Sequence, residues 1–534
     1  MANSSGVQAE LAQKTAPRGA SPRELVYAGF AILVYLFGMV VATGSMDLIV
    51  RRLWLDEIIT WMLATDGSVA HMLAALLRGT DSNPPAYHLA LWTIHAAGVP
   101  LDEVMLRVLA GTTASLGLCG VYACLRLVFN RIVSGAAVVL LLASLTVQLG
   151  PDDPAGTWIL PGSILIRQAF EARFYGPWFA ICAWFCYCLS VLRFRPQSLA
   201  ARIALGVLTV LMLTIHYFGA FTFALIVAAD WLTDRRPWRT RIMPRLPLLA
   251  AIAAVPVVAY FYVHQSRAFT VKSWIDPPTL HNTMQFLWQT WEIFPLMLVA
   301  AALAVQWMVR RWFKLRRASE PTEFSTLSGL LALVFLPVII LIFSLVVQPA
   351  GVSRYALPGV CGVAGLMALL LSRLARGAIA VLVACAVVIT AVEIRRQTDD
   401  ISQSPMELAY YMSRIDDVPA DLPILFELRL DYYPAVKYYP RLGPRMWLLD
   451  VERGEVPDRC LAPSPAFVMV ERDAQRAAGA FYPQFRALPQ RSLGPGAHFI
   501  LIAADANVER ISARFGGARV RQVKARQFDV QLLP

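Results

Sequence analysis

The sequence predicts a polytopic α-helical membrane protein with a small C-terminal α/β domain. Hydrophobic residues make up 57% of the 534 residues and charged residues only 16%, and the mean hydropathy is +0.55. This balance is typical of polytopic membrane proteins and excludes a chain that is soluble throughout. The formal net charge of +12 comes from short Lys and Arg clusters between apolar runs. That pattern indicates anionic lipid headgroups as partners and gives no reason to expect nucleic acid.

The first apolar run extends from Leu25 to Met46, after a polar stretch rich in Ala, Ser and Gln. It exceeds the ~7–15 apolar residues of a cleavable signal and approaches the ~20 that cross a bilayer, so it is predicted to be an uncleaved anchor. Arg18 and Arg23 precede it, which favours a cytoplasmic amino terminus. Residues 1–24 are therefore predicted to be a disordered cytoplasmic tail.

Eight further apolar runs predict spans near 103–125, 132–150, 174–192, 246–264, 286–309, 325–347, 355–372 and 377–393. The remaining segment, 203–232, has basic residues on both flanks. Because Lys- and Arg-rich loops stay in the cytoplasm, this segment is predicted to cross twice and to turn near His216 to Gly219. The result is about eleven spans. The outer side then holds the acidic residues Asp56, Glu57, Asp81, Asp152, Asp153 and Glu171.

This topology divides the chain into a membrane domain, 25–395, whose first outer loop is 46–102, and an outer domain, 396–534. The outer domain is predicted from a helical stretch near 405–415 and short apolar runs at 423–426, 466–470, 499–503 and 528–533. Gly- and Pro-bearing turns separate these runs, as in a small α/β domain. No nucleotide-phosphate loop or dinucleotide spacing occurs in it, which makes an ATP-driven machine a poor candidate.

The cysteines and histidines indicate neither a disulfide framework nor a zinc site. Seven of the eight cysteines lie in apolar spans, and only Cys460 lies in a polar region. His71, His88 and His216 lack the i, i+3 or i+4 spacing of a ligand pair, so they are predicted to be ordinary interfacial histidines. No metal ligand is assigned.

Three outer-side segments resemble the polyprenyl-phosphate-sugar-dependent glycosyltransferases of the GT-C type. Trp54-Leu55-Asp56-Glu57 with Asp81-Ser82-Asn83-Pro84-Pro85-Ala86-Tyr87-His88 is similar to that family's first outer loop. Glu171-Ala172-Arg173-Phe174-Tyr175 and Ser353-Arg354-Tyr355-Ala356-Leu357-Pro358 are similar to two later segments. The likeness covers most of 25–395 and includes the protein O-mannosyltransferases, the lipid A aminoarabinose transferases and the RgtA/B/C/D-like bacterial group. Asn83 stands where many relatives have His or Lys.

The resemblance implies an inverting, single-displacement glycosyltransferase in a bacterial inner membrane, with its outer domain in the periplasm. The donor would be a sugar on a polyprenyl-phosphate carrier, and the acceptor a hydroxyl of lipopolysaccharide, another envelope glycan or a protein. Asp56 and Glu57 would be catalytic, with Asp56 as the base. Asp81, Arg173, Tyr175, Arg354 and Tyr355 would bind substrate. Some members of the wider superfamily use a divalent cation, whereas the mannosyltransferase-like branch does not require one, so a divalent cation is left open.

The chemistry of such a transfer needs the same residue types. A carboxylate must take the acceptor proton, and cations must hold the departing phosphate while the lipid tail stays in the bilayer. Asp56, Arg173 and Arg354 supply these groups, provided that all three meet in one outer cavity. We expect Glu57 and Asp81 to orient the acceptor or the base.

Each of these residues also has a structural interpretation. Asp56 could cap a helix over 57–77, since Asp is a common N-cap. Arg173 and Arg354 could be anchors that extend to lipid headgroups. Pro84 and Pro85 are predicted to end one helix and begin the next. At the level of the whole chain, a lipid or sugar transporter, or flippase, and a non-catalytic membrane scaffold remain alternatives. No paired, interrupted spans of the kind seen in transporters occur in the sequence.

Overall fold

The fold is described from a computed structural model of the full chain. It describes residues 19–143, 147–149, 158–160, 164–268, 275, 278–291, 293–312, 324–413, 421–450, 473, 475–476, 478–503, 507–516, 518–524 and 526–533. The predictions for Asp152, Asp153, Cys460 and the strand at 466–470 lie outside these residues, as does most of the predicted tail.

The membrane domain consists of helices joined by short turns. The first nine are α1 (Pro22–Ala42), α2 (Asp47–Val50), α3 (Leu55–Ala64), α4 (Val69–Leu77), α5 (Ala86–Ala96), α6 (Glu103–Leu125), α7 (Arg131–Leu140), α8 (Ile164–Ala169) and α9 (Tyr175–Phe194). The next ten are α10 (Leu199–Ile215), α11 (Gly219–Thr233), α12 (Trp238–Arg245), α13 (Ala250–Ala268), α14 (Leu280–Thr290), α15 (Ile293–Trp312), α16 (Ser328–Ala332), α17 (Leu336–Val346), α18 (Gly359–Leu371) and α19 (Arg376–Ser413). Strands β1 (Val147–Leu149) and β2 (Trp158–Leu160) form an antiparallel pair between α7 and α8.

The helices confirm a polytopic membrane fold. Within the described residues, 6 helical segments are long and apolar enough to cross a bilayer, or up to 7 if the bent pair α14 and α15 is one span. The six are Pro22–Ala42, Glu103–Leu125, Tyr175–Phe194, Thr240–Ala268, Ser325–Val346 and Arg376–Arg395. Four apolar helices, α7, α10, α11 and α18, are shorter, at 10–17 residues.

Three predicted spans differ from the helices observed. The span expected near 132–150 is wrong as a single helix, because α7 ends at Leu140 and strand β1 follows. The run at 286–309 includes a bend of 65° between α14 and α15. The run at 355–372 begins as a 3-10 turn, Ser353–Ala356, before α18 starts at Gly359. In each case hydropathy located the apolar residues without locating the helix ends.

The predicted hairpin over 203–232 is present as α10 and α11, which pack against each other. The turn contains His216, and α11 begins at Gly219. A Cβ on Gly219 would lie 1.9 Å from the carbonyl oxygen of Met212, so only glycine permits this close return. The charge distribution therefore predicted a turn that the length of the segment left undecided.

The C-terminal region forms a six-stranded sheet in the order β5-β4-β3-β6-β8-β7. Its strands are β3 (Ile424–Phe426), β4 (Met446–Asp450), β5 (Ala487–Pro489), β6 (His498–Ile502), β7 (Arg519–Lys524) and β8 (Gln527–Gln531). The first four pair in parallel and the last two are antiparallel. Helices α20 (Arg429–Tyr438) and α21 (Val508–Arg514) accompany the sheet. Helix α19 continues through the predicted boundary at residue 395.

The C-terminal domain packs on the first outer loop. Helix α20 contacts α3, and the Tyr438 hydroxyl accepts a hydrogen bond of 2.7 Å from the Leu53 amide. The Lys437 ammonium lies 3.4 Å from the centre of the Trp61 ring, and the Tyr482 hydroxyl donates to Asp66 at 2.7 Å. These contacts place the domain on the same side of the helices as the predicted site residues.

Candidate active site

The first outer loop contains two helices where the sequence predicted one. Helix α3 ends at Ala64, and Ser68 caps the start of α4 by accepting from the His71 amide. The N-cap of α3 is Trp54, so Asp56 lies within its first turn. The alternative in which Asp56 caps the helix is therefore wrong, and its carboxylate is available for other contacts.

The Asp56 carboxylate faces the Arg354 guanidinium. Arg354 Nη2 lies 3.9 Å from Asp56 Oδ2, and the two side chains are 17% and 24% exposed, respectively. Arg354 comes from the 3-10 turn before α18, and its guanidinium carbon lies 5.9–6.0 Å from the ring centres of Trp54, Tyr175 and Tyr355. The aromatic rings confine this cation beside a carboxylate that solvent reaches.

Arg173 joins the two acidic segments of the first outer loop. Its Nη1 donates to Asp81 Oδ2 at 2.7 Å, to Thr60 Oγ1 at 3.0 Å and to the Asp56 backbone carbonyl at 3.0 Å. Asp56 and Thr60 lie one turn apart on α3, while Asp81 precedes α5. Arg173 thus fixes the start of α3 relative to the segment that leads into α5. The anchor alternative for Arg173 is wrong, because its side chain is buried in the protein.

Asp81 is an ionised, buried carboxylate. Its Oδ1 accepts from Asn83 Nδ2 at 2.6 Å, and His88 Nε2 lies 3.3 Å from its Oδ2. Burial alone would raise its pKa, but the Arg173 guanidinium and His88 hold the pKa of Asp81 well below its usual range. Of the two roles predicted for Pro84 and Pro85, only the second is confirmed: α5 begins directly after Pro85, whereas α4 already ends at Leu77.

Glu57 points away from the Asp56 side and into the protein. It is fully buried, and Arg107 Nη2 lies 2.5 Å from its Oε2. Its Oε1 accepts from the Ala172 amide at 2.9 Å, and its Oε2 accepts from the Trp54 amide at 3.2 Å. The neighbouring acids of the motif therefore differ in environment: Asp56 is partly exposed beside Arg354, and Glu57 is enclosed by donors.

Arg107 is a buried residue that supports the candidate site and that the sequence analysis missed. It lies near the start of α6 and is fully buried. Besides Glu57, it donates to the backbone carbonyls of Ile49, Arg51 and Arg52, which join α2 to α3. An arginine inside an apolar run, directly after an acidic outer loop, was the available signal.

Glu171 is a second buried carboxyl group near the site. Burial and the negative charges of Glu57 and Asp56 raise the pKa of Glu171 to about 7, although the positive charge of Arg354 acts in the opposite direction. The side chain is enclosed at the start of the segment that carries Arg173. Glu171 therefore titrates near neutral pH, which no motif reading anticipated.

An aromatic wall lines the membrane side of these charges. The His216 ring stacks on Phe174 at 4.7 Å between centres and lies 5.2 Å from Tyr355 and 4.7 Å from Trp178. The prediction of interfacial histidines is wrong for His216 and His88, since both are buried. Burial, together with the positive charge of Arg173, lowers the pKa of His216 to about 3, so the ring is neutral.

A further membrane helix supports the loop that follows α4. Gln265 lies near the end of α13 and donates from Nε2 to the carbonyls of Leu76 and Asn83, both at 3.0 Å. Its Oε1 accepts from the Tyr217 hydroxyl at 2.6 Å. The first outer loop, the α10–α11 turn and α13 are thus joined next to Asp81.

The structure brings together the groups that the sequence singled out. Asp56, Asp81, Arg173, Tyr175, Arg354 and Tyr355 converge from three distant segments at one end of the helices. The arrangement contains a solvent-accessible carboxylate, a confined guanidinium and an apolar wall. It can accept a proton at Asp56 and bind an anion at Arg354.

The described residues offer no set of side chains suited to a metal ion. No group of three or more His, Cys, Asp or Glu side chains within these residues is arranged to hold one. The carboxylates of Asp81 and Glu57 already receive arginine donors.

No protein-family model matches the chain, and no curated protein matches its sequence. Among solved structures, the chain is similar to ArnT from Cupriavidus metallidurans, whose crystal structure is in the apo state. The likeness covers 94% of this chain and 98% of that chain, with a TM-score of 0.55 and 13% sequence identity. It confirms the polytopic membrane fold and extends through the C-terminal domain. At this identity it does not establish an activity.

Proposed function

We propose that the protein is a GT-C type membrane glycosyltransferase that moves a sugar from a polyprenyl-phosphate carrier to a hydroxyl acceptor. The observation that supports this most is the pairing of a partly exposed carboxylate, Asp56, with the aromatic-enclosed guanidinium of Arg354, 3.9 Å apart. The fold shared with ArnT adds to it. Both groups lie at the ends of helices, where a lipid-linked phosphate and an aqueous acceptor can meet.

In the proposed reaction the acceptor oxygen attacks the anomeric carbon of the donor sugar. A bond forms between that oxygen and the anomeric carbon, and the bond from this carbon to the carrier phosphate oxygen breaks. Asp56 takes the proton of the acceptor hydroxyl, and the carrier phosphate leaves with the bonding electron pair. Arg354 stabilises the negative charge that develops on it. With one base and no covalent intermediate, the anomeric configuration inverts.

The remaining residues take positioning and binding roles in this proposal. Glu57, which the sequence suggested as catalytic, positions Asp56 by fixing the start of α3 through the Trp54 amide and Arg107. Arg173 and Asp81 hold the opposite side of the same turn. Tyr175 and Tyr355 flank Arg354 and would contact the sugar or the phosphate.

We place the reaction on the periplasmic face of a bacterial inner membrane, with the amino terminus in the cytoplasm. The acceptor is a hydroxyl of lipopolysaccharide, another envelope glycan or a protein. The C-terminal domain lies on the same side as Asp56 and packs on α3, which favours a role beside the acceptor. The site residues are at helix ends and in turns, an arrangement that favours surface chemistry over transport through the middle of the bilayer.

The test is to incubate the purified full-length protein with several polyprenyl-phosphate sugars and to measure release of the bare carrier phosphate. We expect release with at least one donor. It should fall by about 100-fold or more in Asp56→Asn, because a positioned base contributes about 10²–10⁴-fold. Asp47→Asn is the matched control, since Asp47 is an exposed acid of the same outer region. Absence of release from every donor, or full release by Asp56→Asn, would overturn the proposal.

A further inference from the structure

A cavity of about 950 Å³ opens at the opposite end of the helices from Asp56. It is lined by the last residues of α9 and α11 and by the turn that leads into α16. Helix α9 begins beside Arg354 at Tyr175 and ends in the cavity at Phe194, and its 20 residues span about 30 Å. The cavity is therefore separated from the candidate active site by the thickness of a bilayer core.

The polar floor of the cavity is a rigid network around Arg193. Its Nε donates to Asp230 Oδ1 at 2.7 Å, and its Nη2 donates to Thr233 Oγ1 at 2.8 Å and to Ser328 Oγ at 3.0 Å. Arg245 pairs with both Asp230 and Asp234. Because these bonds join α9, α11, α12 and α16, the floor is built independently of any ligand.

The described residues leave the cavity with a positive charge that their carboxylates do not neutralise. Arg236 pairs with Asp234 at 2.8 Å. Two carboxylates, those of Asp230 and Asp234, are therefore already paired with three arginines, Arg193, Arg236 and Arg245. Arg235 lines the cavity as well, and its side chain is exposed. It forms no hydrogen bond or ion pair with any residue in the described part of the chain. A guanidinium in this position favours an anion, and phosphate matches its geometry.

The opposite wall of the cavity is apolar and continues onto the surface that faces lipid. Leu331 and Phe335 line the cavity from α16 and the turn that follows it. Phe335 is 61% exposed and Leu232, at the end of α11, is 82% exposed. Trp238 is exposed nearby, as expected for a tryptophan at a membrane interface. A ligand in this cavity would meet a cation on one side and hydrocarbon on the other.

We infer that this cavity binds an anionic phospholipid of the leaflet opposite the active site, with its phosphate at Arg235 and an acyl chain along Leu331 and Phe335. The charge of the cavity and the continuity of its apolar wall with the bilayer surface match a lipid better than a free anion. This site does not depend on the proposed glycosyl transfer, because none of its residues contacts the Asp56 cluster.

The experiment is to titrate the purified full-length protein in detergent with phosphatidylglycerol and to count bound lipids by native mass spectrometry. Phosphatidylcholine and glycerol 3-phosphate are the comparison ligands. We expect one phosphatidylglycerol to bind more tightly than phosphatidylcholine, and glycerol 3-phosphate not to bind. In Arg235→Gln the affinity for phosphatidylglycerol should fall roughly fivefold, the effect of removing one cation from an anionic headgroup.

Arg195→Gln is the matched control. Arg195 is an exposed arginine on the same side, next to the end of α9, but does not line the cavity. It should leave the affinity unchanged, and Arg235→Lys should retain most of it. Equal affinity of Arg235→Gln and the unmodified protein would overturn the inference. So would an equal loss in Arg195→Gln, equal binding of phosphatidylcholine, or binding of glycerol 3-phosphate alone.

Discussion

Arg107 and Glu57 form a fully buried ion pair, with 2.5 Å between Nη2 and Oε2. The pair lies beneath the turn that presents Asp56. Its partners are backbone groups on both sides of that turn, so it joins the architecture of the first outer loop to the geometry of the candidate site. The buried pair that holds this turn is thus distinct from the partly exposed pair of Asp56 and Arg354.

Glu57→Gln should destabilise the protein strongly. Removing one partner leaves the Arg107 guanidinium buried without its counter-charge, which costs about 3–5 kcal/mol in comparable pairs. The measurement is the free energy of unfolding in detergent. Asp529→Asn is the control, since it changes only surface contacts, with Arg521 and His498, whose side chains are 79% and 40% exposed, and should cost about 1 kcal/mol or less. Equal effects of the two substitutions would contradict a buried structural pair.

Arg173→Gln should slow carrier release by about 100-fold. The substitution removes the hydrogen bonds that hold the Asp56 carbonyl and Thr60 of α3 in place. A small displacement of a group that takes part in the reaction has effects of this size. Arg173→Lys should recover only part of the rate, since an ammonium lacks the planar fork of donors. Arg78→Gln changes an exposed arginine of the same loop and should retain the full rate. A full rate in Arg173→Gln would show that Asp56 is positioned without it.

Lys437→Met should loosen the C-terminal domain from α3. The ammonium lies 3.4 Å from the Trp61 ring centre and 3.4 Å from Glu103 Oε1, and loss of such a cation–π contact costs about 1 kcal/mol. If the domain helps to bind the acceptor, the KM for the acceptor rises while the KM for the donor stays constant. Arg441→Met removes an exposed cation of the same domain and serves as control. A change in the KM for the donor, with no change in the KM for the acceptor, would contradict a role of the domain in acceptor binding.

The Glu171 carboxyl should make stability depend on pH. Its pKa in the folded protein is raised to about 7, above the 4.5 of the unfolded chain, so the folded state binds more protons between these values. Its stabilising contribution is therefore complete below pH 4.5 and is lost as the pH rises to about 7. Melting temperatures of the unmodified protein and of Glu171→Gln should be measured from pH 4.5 to 8. As the pH rises, the melting temperature of the unmodified protein should fall relative to that of Glu171→Gln. A constant difference would show that Glu171 does not titrate there.

The sequence predicted which residues meet at one end of the helices, but not every helix end around them. Asp56, Arg173 and Arg354 were selected from three segments that resemble one family and from their predicted place on the same side, and the structure brings these residues together. The end of α7 at Leu140 could not be predicted, since the run of apolar residues continues beyond it. Arg107 was missed because Glu57 lies 50 residues earlier in the chain and its other partners are backbone carbonyls, which no local sequence pattern reveals. The different roles of Glu57 and Asp56 follow from which face of one helical turn is buried.

The most direct test of the account compares donor binding and carrier release in Asp56→Asn and Arg354→Gln. In the proposed reaction Asp56 takes the proton and Arg354 binds the phosphate. Asp56→Asn should bind the donor at least as tightly as the unmodified protein while releasing carrier at least about 100-fold more slowly. Arg354→Gln should bind the donor about tenfold more weakly, since a charge-assisted phosphate contact is lost. Unchanged donor affinity in Arg354→Gln, together with normal release by Asp56→Asn, would contradict the account.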